Sequence, residues 1–311
     1  MEPKILLDDI AILLQQPKKK IKISLKKINK YKVSGGKIFL THNETIEFFK
    51  DITLKEQIMA FHLIKGGVGK TTLVHSVASR ASLYGAKVLC IDLDQQANLT
   101  QAFNFFSKKK PNVYDIFTKK LKIKDTILSV CPGIDLIPSA LSNANLDTYL
   151  YTQSSPIETV FNQLLEKIKL DYDLIIFDCP PTLGESVKAA ILASDTVVLP
   201  INPDLFSIEG LRTGLHEINQ LNKSYSKKIS TKIVINKFDK RTVLSNRISQ
   251  FLFENPRYKE VTISPVINLN QEFTNQLSDG KSIYDSSSQK GPAKEVDEIV
   301  KKLLEIKLCK S

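Results

Sequence analysis

Residues 62–72 read HLIKGGVGKTT, and their types and spacing suit the holding of a phosphate chain. In a P-loop, G-x-x-x-x-G-K-[ST], successive backbone amides surround a phosphate at a helix N-terminus, where the dipole also favours negative charge. Gly66, Gly67 and Gly69 let the backbone approach without Cβ clashes. Lys70 is expected on the β- and γ-phosphate oxygens and Thr71 on Mg²⁺, with Val68 and Thr72 completing the run that contacts ATP or ADP. The pattern departs in two respects. Ile64 stands where the first glycine belongs, and a second lysine, Lys65, lies inside the loop. One lysine already serves the phosphates, so a second can point elsewhere.

A loop of this kind needs a strand before it and a helix after it. QIMAFHLI supplies the strand, and a helix is expected from Thr71 to about Tyr84. Further apolar strands are AKVLCIDLD, GIDLIP (133–138), DLIIFD (173–178), TVVLPI (196–201), KIVIN (232–236) and EVTI (260–263). Helical stretches at 157–169, 184–193, 207–221 and 242–253 lie between most of them. Such alternation predicts βαβ crossovers and a mostly parallel sheet buried on both faces, an α/β fold over residues 56–311. The loop DSSSQKGP (285–292) precedes a last amphipathic helix at about 293–307, and KKKP (108–111) reads as a solvated loop.

Residues 1–55 form a compositional unit of their own. They hold twelve lysines and six acids, a net +6 out of +11 for all 311 residues. KILLDDIAILLQQ (4–16) has helical apolar spacing and ends at Pro17. KIKISLKKINKY is a second helix or partly a strand. SGGKIFLT reads as a turn and a short strand, and HNETIEFFKDI as a third helix capped by Asn43 or Thr41.

The chain is 42% hydrophobic and 25% charged, ordinary for a globular protein, with a pI near 9.3 that points to a polyanionic partner, nucleic acid or acidic lipid. It contains no apolar run long enough to span a membrane, and two aspartates interrupt the N-terminal apolar stretch, against a secretory signal. A cytoplasmic location is the expectation. Cys90, Cys131, Cys179 and Cys309 are widely spaced, and His42, His62, His75 and His216 form no ligand pattern, so neither a zinc site nor a disulfide framework is expected.

With Lys65 in K-G-G-x-G-K-[ST]-T, the sequence resembles the deviant Walker A ATPases of the ParA/MinD superfamily. The resemblance implies a P-loop NTPase fold and an ATP-dependent homodimer in which Lys65 crosses to the phosphates of the partner's ATP, a cation supplied in trans. It runs over roughly residues 56–308. VLCIDLDQQANLT is similar to the family's D-x-D-P-Q-G-N-x-T, with Gln96 and Ala97 where Pro and Gly are usual. Asp92 ends a strand at the nucleotide, and for Asp94 the resemblance implies the family's role of orienting or activating the attacking water. YDLIIFDCPPTLG is close to the family's Walker B segment, so Asp178 is expected near Mg²⁺ together with Thr71 and Asp92. LPINPDLFSIEGL is similar to P-x-x-P-x-x-x-x-x-E-G-L. VINKFDKRT resembles the segment whose Asn contacts adenine and whose Arg contacts DNA, here Asn236 and Arg241. Pro265 stands where another DNA-contacting Arg is common, so Lys237, Lys240 or Arg247 is the candidate replacement.

Within the superfamily, the cysteines do not match the cluster ligands of nitrogenase iron protein. The acids Glu295, Asp297, Glu298 and Glu305 weaken a MinD-like membrane helix, so no membrane partner is expected. The resemblance implies a nucleoid-associated ATPase for DNA partitioning, weak alone and stimulated by a ParB-like centromere-binding protein. Residues 1–55 are either a small helix-turn-helix or winged DNA-binding module, which would let the protein autorepress its operon, or a dimerisation arm. The alternatives are an ATP-regulated repressor and a MinD-like positioning ATPase.

Overall fold

Eight strands form the central sheet, in the order Thr262–Ile263, Ser230–Ile235, Thr196–Ile201, Gln57–Phe61, Leu174–Asp178, Val88–Asp92, Ile134–Ile137 and Leu128–Cys131. They belong to a computed structural model that describes residues 2–28, 31–50, 52–106, 110–153, 156–285 and 291–308. The N-terminal segment carries β1 (Ile5–Leu6), α1 (Leu7–Leu13), α2 (Lys18–Ile28), β2 (Lys32–Ser34), β3 (Lys37–Leu40) and α3 (His42–Phe48). After β4 (Ile52–Thr53) come β5 (Gln57–Phe61), α4 (Lys70–Ser82), β6 (Val88–Asp92), α5 (Asn98–Ala102) and α6 (Val113–Thr118). Then follow β7 (Leu128–Cys131), β8 (Ile134–Ile137), α7 (Leu146–Thr152), α8 (Val160–Leu165), β9 (Leu174–Asp178) and α9 (Glu185–Ala193). The last third holds β10 (Thr196–Ile201), α10 (Leu205–Ser224), β11 (Ser230–Ile235), α11 (Val243–Glu254) and β12 (Thr262–Ile263). It closes with α12 (Glu272–Ser278), α13 (Pro292–Leu303) and β13 (Lys307–Leu308).

All pairs in the large sheet are parallel except β7–β8 at its edge. β5, β6, β9 and β10 are apolar along nearly their whole length because helices cover both faces. The fold is that of a P-loop NTPase. Strand order puts β5, β9 and β6 side by side, with Phe61 opposite Asp178 and Asp178 opposite Asp92. Ligands of open α/β sheets bind at such carboxyl ends.

Several elements differ from the sequence expectations. The stretch 4–16 begins as a strand, because Ile5 and Leu6 pair with Leu40 and Phe39 before α1 starts. KIKISLKKI is helical throughout, and SGGKIFLT is the second half of a hairpin whose turn, Gly35-Gly36, takes φ of +55° and +72°. Thr41 caps α3, its backbone amide donating to Glu44 at 2.8 Å. β7, α5, α6, α7 and α12 were not expected, being too short for a period to show. The last helix stops at Leu303, and β13 turns back to pair with β4. Cys309, half of KKKP and most of DSSSQKGP lie outside the described residues. Cys90, Cys131 and Cys179 are buried free thiols.

The N-terminal segment shares its core with the rest of the chain. Ile5, Ile10, Leu25 and Leu40 belong to one apolar cluster with Leu73 and Val77 of α4 and with Val296 and Val300 of α13. His42 adds a polar tie, its Nδ1 donating to the Ser82 carbonyl at 2.7 Å. Its ring fills the place that a Cβ on Gly133 would occupy.

Candidate nucleotide site

β5 delivers the chain to the phosphate loop, and the loop ends at Gly69, the N-cap of α4, with φ +90°. Gly67 also lies in the left-handed region, at +74°. No side chain caps α4, so its first amides are left for an anion. A Cβ on Gly69 would overlap the Asn236 side-chain amide. That amide donates to the Val68 carbonyl at 2.8 Å, fastening the end of β11 to the loop. Lys70 is buried and folds back over the loop, donating to the carbonyls of Lys65 at 3.0 Å and Leu63 at 3.2 Å. Burial lowers its pKa, and the nearby Asp178 opposes that shift. Above the loop lies a cavity of about 790 Å³ lined by Gly66, Gly67, Gly69, Lys70, Thr71 and Thr72, by Asp94, and by Leu277 and Ser278 of α12.

Thr71 and Asp178 meet: the threonine hydroxyl donates to Oδ2 at 2.7 Å. The other oxygen, Oδ1, is buried with no hydrogen-bond partner. Burial, then the Asp92 charge across the strand pair, pushes the Asp178 pKa well above the usual carboxylate range. An orphaned carboxylate oxygen beside a P-loop threonine fits Mg²⁺, which is held by one or two carboxylates, waters and phosphate rather than by an all-protein cage. No group of three or more acids, histidines or cysteines that could hold a metal exists among the described residues.

Asp92 has other work. Its Oδ2 accepts from the Thr100 amide at 2.9 Å and the Thr100 hydroxyl at 2.7 Å, and its Oδ1 accepts from the Asp94 amide at 3.1 Å. Of the three expected metal residues, Thr71 and Asp178 are joined, while Asp92 positions Asp94 and α5. Burial raises the Asp92 pKa to about 7, against those hydrogen bonds. Asp94 is half-buried at the rim of the cavity, and its Oδ1 accepts from the Gln96 amide at 2.9 Å.

The two loop lysines diverge. Lys70 faces the phosphate cavity; Lys65 does not line it and is held by Asp204 at the start of α10. Lys237 was a candidate replacement for the missing arginine. Its Nζ donates to the Gly67 carbonyl at 2.7 Å and lines the nucleotide cavity, so its charge faces the nucleotide site. Arg241, Lys240 and Arg247 lie exposed on the segment that leads into α11 and on α11 itself. Arg241 is already paired, making two hydrogen bonds of 2.9 and 2.8 Å with Asp239, which hold the Asp239 pKa down at about 2.

Sequence reasoning passed over Asp204, Ser207, Leu277 and Ser278. A signal existed for the first pair: Asp-x-x-Ser before an apolar helical run is an N-cap, and the Asp204 side chain does accept from the Ser207 amide at 2.8 Å. α12 carries no comparable sign.

Comparison with known proteins places the fold among P-loop ATPases. The profile of the AAA domain matches residues 56–231. The sporulation initiation inhibitor protein Soj of Bacillus subtilis is 29% identical over 238 residues, covering 75% of this chain and 93% of its own. A plasmid partition protein from Borrelia burgdorferi, solved with AMPPNP, is 27% identical with a TM-score of 0.64, over 81% of this chain and 99% of that one. McdA of Cyanothece, solved as an ATP complex of a variant, has a TM-score of 0.72 at 22% identity, over 82% and 98%, a likeness of fold.

Proposed function

We propose, from the premise that this chain belongs to the ParA/MinD superfamily of P-loop ATPases, that it is a partitioning ATPase whose ATP-bound dimer holds DNA and releases it on hydrolysis. The observation that carries the reading is the Thr71–Asp178 pair under the loop, with Asp178 Oδ1 buried and unpartnered beside Lys70. The amides of residues 66–72 bind the phosphates. Lys70 exchanges its carbonyl partners for phosphate oxygens, which are stronger acceptors for a cation. Thr71 and Asp178 hold Mg²⁺, which when bound offsets charge on the β- and γ-oxygens. Asp94 orients the attacking water. Asn236 fastens the loop and lies on the adenine side, and Lys65 reaches the phosphates of a partner's nucleotide. Arg241, Lys240 and Arg247 form the face that meets DNA phosphates, and a ParB-like protein stimulates turnover.

A second activity is favoured by one feature of the N-terminal segment. The chain order β1-α1-α2-β2-β3, with sheet order β1-β3-β2, is that of a helix-turn-helix followed by a wing. α2 buries Ile21 and Leu25 and exposes Lys18, Lys19, Lys20, Lys22, Lys26 and Lys27. That face suits a duplex groove, and the module would let the protein repress its own promoter.

For the core reading, the decisive variant is Lys65→Ala. It should bind ATP with near-normal affinity, yet lose the ATP-dependent dimer in sedimentation velocity and lose phosphate release. Normal turnover and a normal dimer would remove the lysine supplied in trans.

A further inference from the structure

Lys65 is held within its own subunit. Its Nζ donates to both carboxylate oxygens of Asp204, at 2.7 and 2.8 Å, and to the Ser207 hydroxyl at 3.0 Å. The lysine side chain is only 24% exposed, although it stands in a loop. The Phe206 ring beside it, 5.9 Å from Nζ, is 81% exposed. Asp204 has a second role as the N-cap of α10, accepting from the Ser207 amide. That bond survives if the lysine departs, so the carboxylate is not stranded.

We propose that Asp204 is a latch that holds Lys65 in its own subunit, opened when the nucleotide phosphates on a second copy of this chain compete for the lysine. The proposal rests on the trans-lysine reading above. Asp204 is thereby a positioning residue: it acts on the nucleotide only through Lys65. The exchange of one carboxylate for a polyphosphate favours the more highly charged anion, so the latch opens only where the facing subunit is loaded. Each protomer must open its own latch before the dimer closes. A partly exposed ion pair is worth a few-fold in an equilibrium, and two per dimer make about tenfold in the dimer dissociation constant.

Asp204→Asn and Asp204→Ser both keep an N-cap acceptor for the Ser207 amide and remove the charge. With Mg²⁺ and a non-hydrolysable ATP analogue, sedimentation velocity should give both variants a dimer dissociation constant about tenfold lower than the parent protein. A residue needed only for the fold would weaken the dimer when replaced, so tighter association is a result that structural damage cannot mimic. Unchanged or weaker dimerisation in both variants, with parent-like thermal melts, overturns the latch; variants that fail to melt cooperatively overturn it too, since the carboxylate would then be needed for folding. Lys65→Ala separates the two ideas. If that variant is monomeric while Asp204→Asn matches the parent, the latch alone fails. If it dimerises and hydrolyses normally, the trans lysine fails and takes the latch with it. In the double variant, the tightening from Asp204→Asn should vanish.

Discussion

His75 sits on α4, the helix that begins at the phosphate loop, and is sealed from solvent with its Nε2 unpartnered and its ring 4.7 Å from that of Phe103. Burial pushes its pKa from 6.5 down to about 3. Between those values the unfolded chain binds a proton that the folded chain refuses, so stability is full above pH 6.5 and falls as pH drops toward 3. At pH 5 the difference amounts to about 2 kcal/mol from this residue. His75→Leu should remove that share, so its urea midpoint should fall less than the parent's between pH 7 and pH 5. Parallel losses in the two proteins would mean that His75 is not held neutral. At this same scale the site was unevenly legible. Gly67, Gly69, Lys70 and Thr71 are neighbours, and their chemistry is set by spacing along the chain. The Lys65 partner lies 139 residues away, and no local pattern joins the two.

At the scale of elements, the long strands and α10, α11 and α13 were readable because apolar periodicity over many residues leaves few choices. The N-terminal module was half readable. Its charge and its glycine turn stood out, but the pairing of β1 with β3 joins residues more than thirty positions apart. The shared core has a practical consequence: removing the module would uncover apolar surface on α4 and α13, so its function is better tested by charge on the full chain. Lys19 and Lys26 are exposed on α2, about two turns apart on one face. The double change Lys19→Glu and Lys26→Glu should weaken duplex DNA binding and lower the slope of log affinity against log salt by about 2. The ATP-dependent dimer should be unaffected. Fluorescence anisotropy across a salt series measures the slope, and an unaltered slope would take α2 off the DNA.

Across the whole molecule, the two ends of the chain meet the nucleotide helix at one buried charge. Arg80, at the far end of α4 from the phosphate loop, is wholly buried between the rings of Tyr84 and Tyr284. Its Nε donates to Asp297 of α13 at 2.6 Å, and Tyr84 and Lys301 donate to the same carboxylate. Asp9 of α1 lies near; burial raises its pKa and the Arg80 charge opposes that. Asp297→Ala would leave the guanidinium buried and unpaired, at a cost of about 3–5 kcal/mol in unfolding free energy. The paired replacement Arg80→Met with Asp297→Leu should cost less, since the buried guanidinium goes together with its partner carboxylate and Lys301 keeps Glu298 at 2.9 Å. Urea unfolding followed by circular dichroism compares the two. Equal losses would mean that packing, not the ion pair, holds the ends together. α13 buries Val296, Ile299, Val300 and Leu303 in this region, so its apolar stripe is core rather than a membrane face.

The sequence by itself determined the phosphate loop, the parallel sheet behind it and the basic character of the first 55 residues, because each depends on neighbours along the chain or on composition. Only the tertiary structure decided which carboxylates meet. Asp178 joins Thr71, Asp92 turns to Thr100, and Asp204 captures Lys65. Those choices follow from strand order and register, which bring the ends of β5, β6, β9 and β10 together. A carboxylate's partner is fixed by distances of a few ångströms in space, which separations of 107 and 139 residues along the chain do not encode.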